Sequence, residues 1–365
     1  MKLRAIFIFA ISLLIASCDD SKKKYFSTTL LSPAKIAVND SVSFSVRSES
    51  KQIDSLVIAI DNFKLTLPHN TKNVYSFALQ NIPMGAKTIH IALFSGEHSE
   101  KYSHKLTVVS DLEPKLGEYR IVNVFPRDNN FYTQGLEFSG NILYESAGEY
   151  GKSRLRKTDF TTGKTLAELP LDAQFFGEGL TILNNRIYQL TWQEKTGFIY
   201  DLNSFRQIGS FAYNTEGWGL TNDGKNLIMS DGSEFLYVLN PENLQVINRI
   251  AVYDNTGAIK LLNELEYVDG VIFANIYTTD FIVAIDAKTG KVLARYNFKN
   301  LLAPQYRTDK TDVLNGIAFN RERGTFFITG KNWSKMFEIS PLNPPQGGLP
   351  EALPSSLSEK ISNEK

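Results

Sequence analysis

A single carboxylate, Glu178, stands between two glycines in "FFGEGLTILNNRIYQLTW", residues 175–192. Glycine on both sides leaves the backbone bare, so that other chain segments can come close to the glutamate. Four further stretches repeat the pattern: "TQGLEFSGNILYESAG", "TEGWGLTNDGKNLIMSDG", "LNELEYVDGVIFANIY" and "LNGIAFNRERGTFFITGK". The matched lead residues are Gln134, Glu178, Trp218, Asn263 and Asn315, separated by 44, 40, 45 and 52 residues. Aligning the next strand of each unit matches Gly148, Trp192, Gly232, Tyr277 and Lys331. With equivalent positions brought to one axis, Glu178, Lys331, Gln134 and Asn263 form a polar cluster walled by Trp192, Trp218 and Tyr277. A carboxylate among aromatic rings suits proton transfer, and amide and ammonium donors suit a developing oxyanion.

The chemistry open to this cluster is narrow. The four histidines, His69, His90, His98 and His104, all precede the repeats, and Cys18 is the only cysteine. Ser-His and Cys-His catalysis and the usual zinc ligand sets are therefore excluded from the repeats. A general base there must be a carboxylate or a lysine. Glu264, beside a lead position, is expected to turn away, which leaves one lead carboxylate. That set suits proton transfer better than tight binding of a divalent cation, and neither metal nor cofactor is expected. Lys plus Arg and Asp plus Glu are both 39, so the net charge is zero and no basic face for nucleic acid is implied.

The elements that must position the cluster are strands. Each unit continues with a third strand, as in "FIYDL" or "FIVAIDAKTGK", and an outer one, as in "QIGSFAY" or "KVLARYNF". Four short strands repeating every 40–50 residues are the pattern of a propeller blade, and five units are present. The fifth lacks its outer strand, and "EYRIVNVF", which precedes the first unit, can supply it. Such closure would leave no exposed sheet edge. The predicted fold is all-β: a five-bladed propeller over residues 117–342, preceded at 25–110 by a small antiparallel sandwich of immunoglobulin-like type. The sandwich reads as a spacer, because the spacing of its histidines suits no metal motif. "SDLEPKLGEY" reads as the linker, and residues 343–365, rich in Pro, Gly, Ser and charge, read as a disordered tail.

The units resemble the plant-type glutaminyl cyclases, a five-bladed propeller family also found in bacteria. The resemblance rests on "FYTQGLEF", "YESAGEYGKSRLRK", "FFGEGLT", "EGWGLTNDGK", "NELEYVDGVIFANIY" and "LNGIAF…FITGKNWSKMFEI", in that order. It spans the propeller and leaves out the sandwich, the leader and the tail. It implies conversion of an N-terminal glutamine of a peptide or protein to pyroglutamate with release of ammonia, without zinc. It also implies that Glu178 is the acid/base, that Gln134, Asn263 and Lys331 are its polar partners, and that Trp192 and Trp218 form the wall with Phe176. Tyr132 stands where the family usually has phenylalanine, and Tyr277 where tryptophan is usual. Each keeps an aromatic face and adds a hydroxyl.

Two rival readings stand beside this one. A non-catalytic propeller could bind a peptide or glycan at the cell envelope, but it has little need of a carboxylate facing an amine donor. A calcium-dependent lactonase needs six blades and more acids. No nucleic-acid partner is expected, and a monomer is.

The chain opens with Met1, Lys2 and Arg4 and an apolar run from Ala5 to Ala16, ending in "LIASC". The run is short for a membrane span and reads as a signal peptide over residues 1–18. Its end resembles a bacterial lipobox, in which Cys18 takes the lipid, so the protein is expected on the cell envelope, periplasm-facing or at the surface. Cys18→Ser should leave the chain unprocessed or release it from membranes. A variant that fractionates with membranes at mature length would contradict the reading.

Overall fold

The computed structural model describes residues 24–343. The leader with Cys18, and the tail from residue 344, lie outside the described residues. The chain divides into two compact units. One takes in residues up to Leu31 together with Ser43–Ser76 and Ile89–His104, and the other takes in Ser32–Val42, Phe77–Thr88 and everything from Lys105 onward.

The second unit carries five blades, each with four antiparallel strands, and the fourth has a further short strand at its edge. In blade 2, the strands Gly177–Leu183, Arg186–Thr191, Thr196–Asp201 and Arg206–Ala212 pair in chain order. Asn184 and Asn185 join the first two with φ of 52° and 61°, and Leu183 pairs with Arg186. This is the two-residue turn whose twist matches that of the strands it connects. The first strand is buried along almost its whole length, whereas Arg206–Ala212 alternates between exposed and half-buried. An inner strand meets another blade on both faces, and an outer strand meets solvent. Blades 1, 3 and 4 repeat the order, with inner strands Thr133–Ser139, Leu220–Asn222 and Leu262–Val268. Blade 5 has Leu314–Asn320 innermost, and its outer strand is Tyr119–Pro126, which pairs antiparallel with Lys335–Pro341. The two ends of the ring are thus joined within one sheet.

An apolar cluster fills each gap between neighbouring blades. Leu155 of blade 1 meets Leu180 and Ile187 of blade 2; Tyr188 meets Met229 of blade 3; Leu236 meets Leu265 of blade 4; Phe273 meets Phe319 and Phe326 of blade 5. Phe327 returns to Leu136 and Leu143 of blade 1. At the axis the inner strands approach backbone to backbone. A Cβ on Gly179 would fall 2.5 Å from the Leu220 nitrogen, and one on Gly219 would fall 2.0 Å from the Asn263 oxygen. In blade 4 the equivalent residue is Glu264. Its fully buried carboxylate accepts the backbone N–H of Leu136 at 3.2 Å and of Ile317 at 2.7 Å, so it reaches two other blades.

Two stretches depart from expectation. Lys115–Gly117, inside the stretch read as a linker, pairs parallel with the outer strand Val292–Asn297 of blade 4. Its segment is too short for any sequence pattern to announce. The N-terminal region forms a three-stranded and a five-stranded sheet, and it is not wholly antiparallel, because Lys35–Ala37 pairs parallel with Thr107–Val109. The chain passes from Phe26–Leu30, in the first sheet, to Lys35–Ala37, in the second, through Ser32-Pro33-Ala34. Proline, which has no N–H to offer a ladder, fits such a crossing. Alternating residues are buried in both sheets, among them Val42, Phe44 and Val46 in one and Leu56, Ile58 and Ile60 in the other.

Blade 1 holds an ionic network that fixes the segment leading to Gln134. The fully buried Glu145 pairs with Arg127 and Arg156 and accepts the Thr158 hydroxyl at 2.6 Å. Arg127 also donates to the Thr133 hydroxyl at 2.6 Å, and the Arg156 guanidinium lies 3.6 Å from the Phe131 ring centroid. Burial would raise the Glu145 carboxyl, but Arg127 and Arg156 override it and hold it down at about 2. The stabilisation is therefore complete above the unfolded value, about 4.3, and is lost as pH falls toward about 2. Glu145→Gln leaves Arg127 buried without its counter-charge and Arg156 with Asp128 alone, at 3.2 Å, and should cost about 3–5 kcal/mol. Urea unfolding should find that loss at pH 7, and a shallower decline of stability below pH ~4 than in the wild type.

Candidate active site

Glu178, Gln134 and Asn263 sit at or beside the first residues of the inner strands of blades 2, 1 and 4. Lys331 follows the second strand of blade 5, Thr325–Gly330. All four are buried, with exposures of 3–5%, and all line one cavity of about 220 Å³. Tyr132, Phe176, Trp192, Trp218 and Tyr277 supply its aromatic wall. The nine residues singled out in the sequence are therefore brought together. Gly148 and Gly232, from the second ring, contribute space instead of contacts: a Cβ on them would fall 2.2 Å from the Phe176 ring and 2.7 Å from the Trp218 ring. Glu264 does not line the cavity.

The polar groups are oriented from one fixed point. The Thr133 carbonyl can only accept a hydrogen bond, and Asn315 Nδ2 donates to it at 3.0 Å. The same Nδ2 donates to Gln134 Oε1 at 3.2 Å, which turns Gln134 Nε2 to donate to Glu178 Oε1 at 2.9 Å. One N–H of the Gln134 amide is thereby committed to the glutamate, and the second remains as a donor for a ligand. Asn263 Oδ1 is buried without a partner among the described residues, so that oxygen is available to accept a hydrogen bond from a ligand.

Burial raises the Glu178 carboxyl well above the usual range; Lys331 opposes this, while Glu194 and Glu216 add to it. Burial also lowers Lys331, against the pull of Glu178 and Asp312. The Lys331 ammonium lies 4.7 Å and 4.8 Å from the ring centroids of Tyr132 and Tyr277, so two π-faces help to hold its charge. The added hydroxyl of Tyr132 donates to Asp312 at 3.0 Å. The wall is a chain of edge contacts: Tyr132 to Phe176 at 6.3 Å, Phe176 to Trp192 at 5.6 Å and Trp218 to Tyr277 at 5.5 Å.

The carboxylates around the wall escaped the reading of the sequence. Glu194 accepts the Tyr150 hydroxyl at 2.8 Å and the Phe176 N–H at 3.3 Å. Glu216 accepts the indole N–H of Trp192 at 2.8 Å and of Trp218 at 3.0 Å. Glu216 lies inside the "EGWGLT" stretch, which was a signal that could have found it. Asp312 is 180 residues from Tyr132 and carried none.

A larger cavity, about 540 Å³, lies at the other end of the inner strands, among Glu137, Glu266 and Arg321. Burial lifts Glu137 to about 7 and raises Glu266. It lacks a buried lysine and a continuous aromatic wall. The smaller cavity joins a shielded carboxylate to a shielded amine, the combination that acyl-transfer chemistry uses.

Comparison with known proteins agrees with this geometry. A profile of the family described as "Glutamine cyclotransferase" matches residues 91–340. A glutaminyl-peptide cyclotransferase of Arabidopsis thaliana is 39% identical over 233 residues, 63% of this chain and 73% of the relative. The crystal structure of Myxococcus xanthus glutaminyl cyclase superposes with a TM-score of 0.59 at 30% identity, covering 66% of this chain and all of that one. With the profile spanning more than half of its length, the chain belongs to the glutamine cyclotransferase family.

Proposed function

We propose that this protein is a glutaminyl-peptide cyclotransferase that converts the N-terminal glutamine of peptides or proteins to pyroglutamate and ammonia. The observation that carries the reading is Glu178, a buried carboxylate with a raised pKa, sharing one aromatic-walled cavity with Lys331. The cavity is of a size for one folded residue, so the rest of the peptide would leave through the mouth.

In this reading the wall holds the glutamine side chain folded back on its own α-amine, a proximity effect. The neutral amine attacks the γ-carbonyl carbon; the new N–C bond forms as the carbonyl oxygen takes the negative charge. The Lys331 ammonium faces that oxygen, and the unpartnered Asn263 Oδ1 accepts an N–H of the substrate. Glu178, held by Gln134, takes the proton from the attacking nitrogen and gives it to the amide nitrogen. The old C–N bond then breaks and ammonia departs with its electron pair. Burial raises the proton affinity of Glu178, which makes its carboxylate a stronger base toward the amine's proton. No step calls on a metal, in keeping with a propeller sequence free of His and Cys. The leader supports a lipid anchor on Cys18 and an envelope location, with the N-terminal region as an immunoglobulin-like spacer and the enzyme as a monomer.

Glu178→Gln keeps the size of the side chain but cannot carry the proton. Single-turnover cyclisation of a Gln-initiated peptide should fall by about 10²–10⁴-fold, the usual contribution of a general acid/base. Circular dichroism should show an unchanged fold. Near-wild-type turnover would refute the mechanism.

Lys331→Met removes the cation that favours ionised Glu178. The carboxylate then forms less readily, so the acid limb of the kcat–pH profile should move to higher pH. A limb that stays in place, or moves down, would separate the two groups.

A further inference from the structure

Two tryptophans from different blades are tied by one carboxylate oxygen. Trp192 follows the second strand of blade 2, and Trp218 precedes the inner strand of blade 3. Both indole N–H groups donate to Glu216 Oε2, at 2.8 Å and 3.0 Å, while Gln193 Nε2 approaches Oε1 at 3.4 Å. An indole N–H can only donate, so each half-buried ring needs an acceptor. The carboxylate is itself held in place, because the Gly217 N–H donates to the Trp192 carbonyl at 3.1 Å. A Cβ on Gly217 would fall 2.6 Å from the Thr191 oxygen, so the backbone beside Glu216 lies tight against blade 2.

The tie reaches the whole wall. Trp192 sets Phe176 through an edge contact at 63°, and Trp218 sets Tyr277 through one at 80°. Phe176, Trp192, Trp218 and Tyr277 are thus one chain with Glu216 at its centre. We propose that Glu216 is the positioning residue of this site, locking both indoles at the angle that shapes the cavity for a folded N-terminal residue. Burial pushes its carboxyl up, but the donations from Trp218, Trp192 and Gln193 bring it below the usual range. It therefore stays ionised and accepts both bonds with full charge. The consequence for catalysis rests on the cyclotransferase reading; the hold on the indoles does not.

The test uses the full chain and the variants Glu216→Gln and Glu216→Ala. The protein has three tryptophans, and the third, Trp333, donates its indole N–H to the Asp312 carbonyl at 2.8 Å. In ¹⁵N-indole NMR, two of the three side-chain N–H signals should move in both variants and the third should stay. With a Gln-initiated peptide, Glu216→Ala should lower kcat/KM by about ten- to a hundredfold, the range for a hydrogen bond to a charged group. Most of the loss should appear in KM, since Glu178 keeps its place against Gln134. Loss of the Glu216 charge lowers the Glu178 carboxyl and is read apart, as a downward move of the acid limb of the kcat–pH profile in both variants. Glu216→Gln, which keeps an acceptor oxygen, should recover most of it. Unmoved indole signals, an unchanged KM in a folded Glu216→Ala protein, or a glutamine variant no better than the alanine one would each overturn the proposal. A wild type that binds the peptide without turning it over would defeat the cyclotransferase reading alone, because the indole signals still report the tie.

Discussion

Five inner strands crowd onto one axis, and that crowding is the constraint on which the site depends. Where Gly179 and Gly219 follow the lead residues, the next blade's backbone comes too close to admit a Cβ. The lead side chains are left as the groups that can point into the opening. Crowding also excludes water, because apolar clusters seal every gap between blades. A carboxylate placed there loses solvation that its neighbours do not fully replace, and its proton affinity rises. The chemistry of Glu178 is therefore a consequence of how the blades pack.

Three glutamates show how environment sorts carboxylates. Glu178 is raised by burial, opposed by Lys331 and held by one amide. Glu145, equally buried, is driven the other way by two guanidinium groups. Glu216 escapes the rise chiefly through donors that carry no charge of their own, with the Lys195 charge adding to them. The three residues have one chemical identity and three roles: a proton carrier in the proposed reaction, a structural ion and an acceptor for two indoles. Strength of hydration loss against number and charge of donors decides among them.

The departures at Tyr132 and Tyr277 fit this account. Both rings flank the Lys331 ammonium, so each keeps a π-face where a cation is buried. The Tyr132 hydroxyl is taken up by Asp312 at the rim and so need not intrude on the cavity. Two aromatic substitutions are thereby absorbed without a polar atom left unpaired at Tyr132.

Alternation of apolar residues, the recurrence of a four-strand unit and the leftover strand before Tyr132 were all written in the sequence, because strand periodicity and repeats are local properties. The same repeats made it possible to align the residues that line the cavity, since equivalent positions in a ring share one height on the axis. The sequence also restricted the chemistry through its lack of His and Cys after His104. Only the tertiary structure decided which donor meets which acceptor. It turned Gln134 onto Glu178 through Asn315, set Asp312 beside Tyr132, gave Glu216 two indoles and added Lys115–Gly117 to a blade edge. Apart from Trp218, two residues from Glu216, these pairings join segments tens to hundreds of residues apart. Hydrogen bonds demand a fit of a few tenths of an ångström, a precision that exists once the blades have closed and that no residue pattern along the chain encodes.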